Sequence, residues 1–115
     1  MMPVTKRLTA LIDKSEDDDL SEMVDLGELH PTHILFPAAM TGSNITFHVA
    51  NKKDDTFVEL VTYDGTAVSI TVTASKMVSL AQFFDEFFGL RYLKLKSDGN
   101  EAADRTLYVY ARPRA

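Results

Sequence analysis

The chain has no cysteine and no tryptophan. Without cysteine there are no disulfide staples and no thiolate metal sites. Without tryptophan, a side chain frequent on sugar-binding platforms is missing. The longest uninterrupted apolar stretches fall far short of the roughly 18 residues expected of a membrane span, so no membrane association is expected. Met1 to Leu11 carries Lys6 and Arg7 but no apolar segment of signal-peptide length, so no secretion signal is expected. Also missing are a Gly-rich phosphate loop, a GxSxG elbow and a paired-carboxylate glycosidase signature. With no triad and no cofactor motif, the sequence assigns no catalytic residue and no cofactor, and an enzyme is not expected.

Charge of one sign is concentrated rather than spread. The net charge is −5 over 115 residues. Residues 1–30 carry eight acids (Asp13, Glu16, Asp17, Asp18, Asp19, Glu22, Asp25, Glu28) against Lys6, Arg7 and Lys14, while residues 31–115 balance at nine against nine. A protein that neutralises phosphates needs a basic stripe, so no nucleic-acid partner is expected. The run Glu16 to Asp19 lacks the alternating ligands and central glycine of a calcium loop and reads as a solvated turn. Asp54 and Asp55, beside Lys52 and Lys53, read the same way. His30 and His33 flank Pro31-Thr32 in an expected turn, and His48 lies on the polar face of a strand. Three dispersed histidines read as surface residues rather than a zinc site, so no metal ligand is assigned.

What is present is period-two alternation. Ile45, Phe47 and Val49 fall on one face, with Thr46 and His48 on the other. Val68, Ile70 and Val72 alternate with Ser69, Thr71 and Thr73. Leu93 and Leu95 alternate with Tyr92, Lys94 and Lys96; Leu107, Val109 and Ala111 alternate with Tyr108, Tyr110 and Arg112. Such β-branched and aromatic runs predict half-buried antiparallel strands. Asp64-Gly65 predicts a hairpin between 57–62 and 67–73, and Ser97-Asp98-Gly99-Asn100 ends the strand before it. Further strands are expected at 5–12, 20–26, 33–36 and 77–80. Eight or nine short strands with frequent turns predict an all-β, two-sheet antiparallel sandwich of jelly-roll type.

One segment departs from this period. Phe83 with Phe87, and Phe84 with Phe88, are spaced i, i+4, and Gly89 is a natural stop, so one short helical turn is expected as a hydrophobic lid. If the last two strands pair with each other, Tyr92, Lys94 and Lys96 lie beside Tyr108, Tyr110 and Arg112. Tyrosine and arginine on one sheet face are interface-enriched types. The alternative is an ordinary outer face packed under loops.

Residues 1–19 are expected to form an N-terminal arm or edge strand, and residues 20–115 the sandwich. The arm starts apolar and basic (Met1, Met2, Val4, Lys6, Arg7), then turns acidic. It either pairs along its own sandwich or adds to a neighbour's sheet edge. The sequence reading favours the neighbour, with deletion of residues 2–12 sparing the fold. Met1, Met2, Val4, Lys6, Arg7, Tyr92, Tyr108, Tyr110 and Arg112 are therefore the candidate interface residues.

The order of segments carries a resemblance. Met23–Gly27 (MVDLG), Ile34–Met40 (ILFPAAM), Asn44–Ala50 (NITFHVA), Thr56–Leu60 (TFVEL), Gly89–Lys96 (GLRYLKLK) and Ala102–Leu107 (AADRTL) together resemble a group of small β-sandwich proteins. That group is encoded among the virion genes of tailed bacteriophages and prophages. The resemblance implies a structural virion protein made in the host cytoplasm: a capsid-surface decoration or cement subunit, or a head-fibre-base subunit. Its implied partners are the major capsid protein or other virion proteins, and it would form a homo-oligomer. A tail or baseplate component is a further alternative. The RYLKL and FVEL strands are also similar to galactose-binding-like and discoidin-like sandwiches, which keeps a carbohydrate- or receptor-binding module, with a glycan as ligand, as the alternative function.

Overall fold

A computed structural model describes residues 5–113. The candidate interface residues Met1, Met2 and Val4 lie outside the described residues. Strands β1 (Lys6–Ile12), β3 (Leu29–Leu35), β7 (Met77–Ser79) and β9 (Arg105–Pro113) form one antiparallel sheet in the order β1-β9-β3-β7. Strands β2 (Val24–Asp25), β4 (Asn44–Ala50), β5 (Val58–Glu59), β6 (Ser69–Thr71) and β8 (Tyr92–Ser97) form the other. Its order is β2-β8-β4, with β5 and β6 sharing the far edge of β4 end to end: β5 faces His48 and Val49, and β6 faces Asn44 to Thr46. The chain changes sheet at every connection except those joining β4, β5 and β6. Strands neighbouring in sequence therefore sit in opposite layers, which is the jelly-roll arrangement expected from the sequence.

The alternation of each strand supplies the core. Leu8, Val109, Ile34 and Val78 stand in one cross-strand row of the first sheet. Facing them, Phe47 pairs with Leu95, and Val49 with Leu93, in the second. Phe47, Leu95, Leu93, Ile34, Leu107 and Val109 are completely buried. Val68 and Ile70 point inward as expected, whereas Val72 is only partly buried. The expected strands over 57–62 and 67–73 shrink to two and three residues. The hairpin between them is kept. The Thr62 N–H donates to the Thr66 carbonyl at 2.7 Å, and Gly65 takes φ +87°, a conformation open to glycine at no steric cost.

Beyond β7, a 3-10 turn (Ala81–Phe83) runs into the single helical turn α1 (Phe84–Phe87). Phe87 is fully buried and meets Phe47 edge-on, with centroids 4.9 Å apart and planes at 86°. Phe84 and Phe88 stay largely exposed on the other side of the turn. The lid expected from the phenylalanine spacing is therefore a single inward plug with two outward rings. Gly89 follows at φ +84° and ends the turn.

Three expectations are corrected. His30 and His33 do not lie in a turn: both belong to β3, whose register shifts between Pro31 and His33. A proline has no N–H to give a ladder, and a bulge is where a strand tolerates it. His30 is buried, 3% exposed, with the Phe84 ring 4.1 Å away, so it is not a surface histidine. Finally, residues 6–12 lie on their own sandwich rather than a neighbour's, paired residue for residue with 105–111 of β9. Ala10 and Ile12 are core residues, and burying them gives the arm a partner within the chain.

One end of the sandwich is closed by a polar cluster that the sequence reading did not single out. Glu101, 1% exposed, accepts hydrogen bonds from the Thr41 and Gly42 N–H groups (2.9 and 2.8 Å), from Ser97 Oγ (2.6 Å) and from Arg105 Nε (2.8 Å). Asp98 accepts from the N–H groups of Ser43 and Asn44. Asp19 accepts from the Glu101 N–H, and Asp104 from that of Lys14. These bonds tie the β3–β4 loop, the β8–β9 loop and the acidic N-terminal turn together. Gly42 and Gly99 touch within the cluster: a Cβ on Gly99 would lie 2.7 Å from the Gly42 Cα. Several acids of the sequence thus serve as loop staples.

Candidate functional site

The jelly-roll order decides where the candidate interface residues go. β8 and β9 are in different sheets, so the condition that they pair, under which Tyr92 would lie beside Tyr108, is not met. Tyr92 is buried on the β2-β8-β4 sheet, opposite Asp25 and Ala50, with the Arg91 guanidinium 5.1 Å from its ring centre. Arg91 in turn holds Asp25 at 3.1 Å, and that bond is the main reason the Asp25 carboxyl titrates below its ordinary range. Lys94 and Lys96 share this second sheet; the Lys94 ammonium stands 4.6 Å from the Phe57 ring centre, and Lys96 donates to the Asp18 carbonyl. His48, between Lys94 and Glu59 in register, is pushed down in pKa by partial burial, which outweighs the opposing pull of Glu59 and is helped by Lys96 and Lys94.

Tyr108, Tyr110, Arg112 and Arg7 do converge, on the outer face of the first sheet. Residues directly opposite each other in antiparallel strands share a face. One row across all four strands reads Arg7, Tyr110, His33, Ser79; the next reads Thr9, Tyr108, Leu35, Met77. The Arg7 guanidinium stacks 4.4 Å from the Tyr108 ring centre, joining the two rows. Tyr108, Tyr110, His33 and Leu35 are half-buried, and Met77 is 48% exposed. Arg112 extends the face beyond Tyr110, and Lys6 is exposed beside Arg7 on the edge strand. His33, Leu35 and Met77 were not singled out from the sequence. Only the register shows that they stand beside the tyrosines.

The composition of this sheet is one-sided. β1, β3, β7 and β9 contain Lys6, Arg7, Arg105 and Arg112, together with His30 and His33, and no Asp or Glu at all. In a chain of net charge −5, the remaining residues then sum to −5 − 4 = −9. Among the described residues the ion pairs are Arg91–Asp25 and Arg105–Glu101, so no carboxylate of the described residues is paired with Arg7 or Arg112. Tyrosine, methionine and arginine without acids is the composition enriched at the centres of protein interfaces. Among the described residues no group of three or more His, Cys, Asp or Glu could hold a metal ion, and no helix is long and apolar enough to cross a membrane.

No protein-family model matches the chain, and no curated protein matches it in sequence. The fold does have a solved counterpart. The crystal structure of the SPBc2 prophage-derived protein YomS is similar to this chain at a TM-score of 0.59, over 97% of this chain and 96% of that one, with 11% sequence identity. The likeness is therefore one of whole-chain architecture: this chain shares its sandwich with a prophage-derived protein.

Proposed function

We propose that this chain is a structural protein of a bacteriophage particle, a capsid-surface decoration or cement subunit that works through protein–protein contacts. The observation that carries the contact mode is the acid-free outer face of the β1-β9-β3-β7 sheet, with Arg7 stacked on Tyr108 and Tyr110 beside it. A face of this kind offers aromatic area and positive charge that no described carboxylate pairs with, which suits an acidic protein surface. The phage assignment is supported by the full-length likeness in fold to a protein described as prophage-derived and by the segment pattern of the sequence. A small, rigid sandwich closed at one end by the Glu101 cluster adds interface area between neighbouring capsid subunits without needing a chemical step.

The test is reconstitution. Particles made without this protein, incubated with the purified chain, should acquire it at a fixed copy number per capsid, visible as added density at equivalent surface positions. Failure to co-sediment with heads, or attachment only to tails, would overturn the decoration role.

A further inference from the structure

Away from the acid-free face, the hairpin tip on one side and the 3-10 turn with α1 on the other flank a second site. A groove of about 400 Å³ runs between Thr62–Ala67 and Gln82–Glu86. Its rim carries Tyr63, which is fully exposed and stands at the tip of the hairpin. A large aromatic ring held in solvent is a ready contact for a ligand with an apolar face. The tip is closed by hydrogen bonds: Asp64 accepts from Thr62 Oγ and from the Thr66 N–H, with Gly65 supplying the positive φ. Phe83, partly buried against the core, gives the groove an apolar floor. Gln82 and half-buried Glu86, four residues apart, line the opposite wall.

We propose that this groove binds an uncharged pyranose sugar, with Tyr63 stacking on the ring and Gln82 and Glu86 hydrogen-bonding its hydroxyls. The chemistry of the lining selects this class. Asp64 and Glu86 line the groove with no lysine, arginine or histidine, so phosphates, sulfates and acidic sugars are repelled. A planar carboxylate and a planar amide together offer paired acceptors and a donor, which match neighbouring hydroxyls. An aromatic rim and a phenylalanine floor suit the C–H faces of the ring, and the volume falls within the ordinary range of small-ligand sites. A bare cation would use the carboxylates but neither the amide nor the width of the groove. This site lies on the β5–β6 hairpin rather than on the acid-free sheet, so it goes beyond the contact function and stands or falls separately.

The experiment is an NMR titration of the full chain with methyl glucoside, methyl galactoside and N-acetylglucosamine, with methylguanidinium as the cationic control. A ligand of this size is expected to bind with a Kd on the order of millimolar. Saturable shifts should cluster at 62–67 and 82–86 for at least one sugar. Tyr63→Ala should weaken binding roughly tenfold or more, Tyr63→Phe should retain it, and Glu86→Gln should weaken it. Because Tyr63 touches no core residue by its full exposure, its variants fold, and they should still decorate particles. Absence of saturable shifts with all three sugars, saturation by methylguanidinium alone, or sugar binding that survives Tyr63→Ala would each overturn the proposal.

Discussion

The Arg7 guanidinium lies 4.4 Å from the ring centre of Tyr108, a contact between the first and last strands of the chain that holds a cation over an aromatic sheet face. Reversing that charge tests the face directly. Arg7 is exposed, so Arg7→Glu should change unfolding free energy by no more than about 0.5 kcal/mol. It should lower capsid affinity about tenfold or more and reduce the salt dependence of binding. Lys94→Glu, on the opposite sheet, is the control and should leave affinity unchanged. Calorimetric titration onto particles measures both, and equal losses in the two variants would move the contact elsewhere.

Tyr108→Ala with Tyr110→Ala should weaken particle binding further, since a buried tyrosine anchor contributes about 2 kcal/mol or more to an interface. Both residues are half-buried in the free chain, so the double variant should melt a few degrees lower yet keep its β-rich circular dichroism. Full capsid occupancy by this variant contradicts the assignment of the face.

Glu101 makes stability acid-sensitive. Burial pushes its carboxyl up, but the hydrogen bonds from Ser97, Thr41, Arg105 and Gly42 outweigh that and hold it at about 2, against an ordinary value of 4.5. A folded-state value below the unfolded one contributes stability that is present above 4.5 and lost as pH falls through about 2. The contribution is about 3 kcal/mol at neutral pH. Urea denaturation between pH 7 and pH 2 should show the loss. Glu101→Gln, which leaves Arg105 without its carboxylate, should be destabilised at neutral pH by about 3–5 kcal/mol and show a flatter acid limb.

The phenylalanine cluster predicts unequal costs from equal truncations. Phe87→Ala empties a site against Phe47 and should cost about 3–5 kcal/mol. Phe88, 59% exposed, should cost about 1 kcal/mol or less on the same change. Phe47→Asp should unfold the domain, because it buries an unpaired charge. Thermal melts of the three variants give the comparison.

Deleting residues 2–12 should abolish the fold rather than spare it. The deletion removes all seven residues of β1 and with them Ala10 and Ile12 from the core, and it uncovers the edge of β9. Loss of dispersed amide signals in a proton–nitrogen spectrum is the expected result. A well-dispersed spectrum from the truncated chain would show that β1 is dispensable.

Side-chain alternation was enough to determine which residues of the longer strands face inward. Phe47, Ile45, Leu93, Leu95, Leu107 and Val109 are core because a strand turns every second side chain to one face, whatever strand it pairs with. Two other local signals, the Asp-Gly dipeptide and the i, i+4 phenylalanine spacing, placed the turn at Asp64-Gly65 and the helical turn at Phe84–Phe87. Pairing is not a local property. Tyr92 and Tyr108 carry the same alternation signal, yet they lie on opposite outer faces, because the jelly-roll order sends β8 and β9 to different sheets. His33, Leu35 and Met77 join the tyrosines only through registers that link β9 to β3 and β3 to β7. Glu101 reads as one more acid in a polar turn, and only the approach of the Thr41–Gly42 loop makes it a buried, fourfold hydrogen-bonded carboxylate. The sequence by itself determined the longer alternating strands and their inward residues, through period and turn chemistry, but not the true length of β3, β5 and β6. The tertiary structure alone decided which outward residues share a surface, because that depends on contacts between segments tens of residues apart.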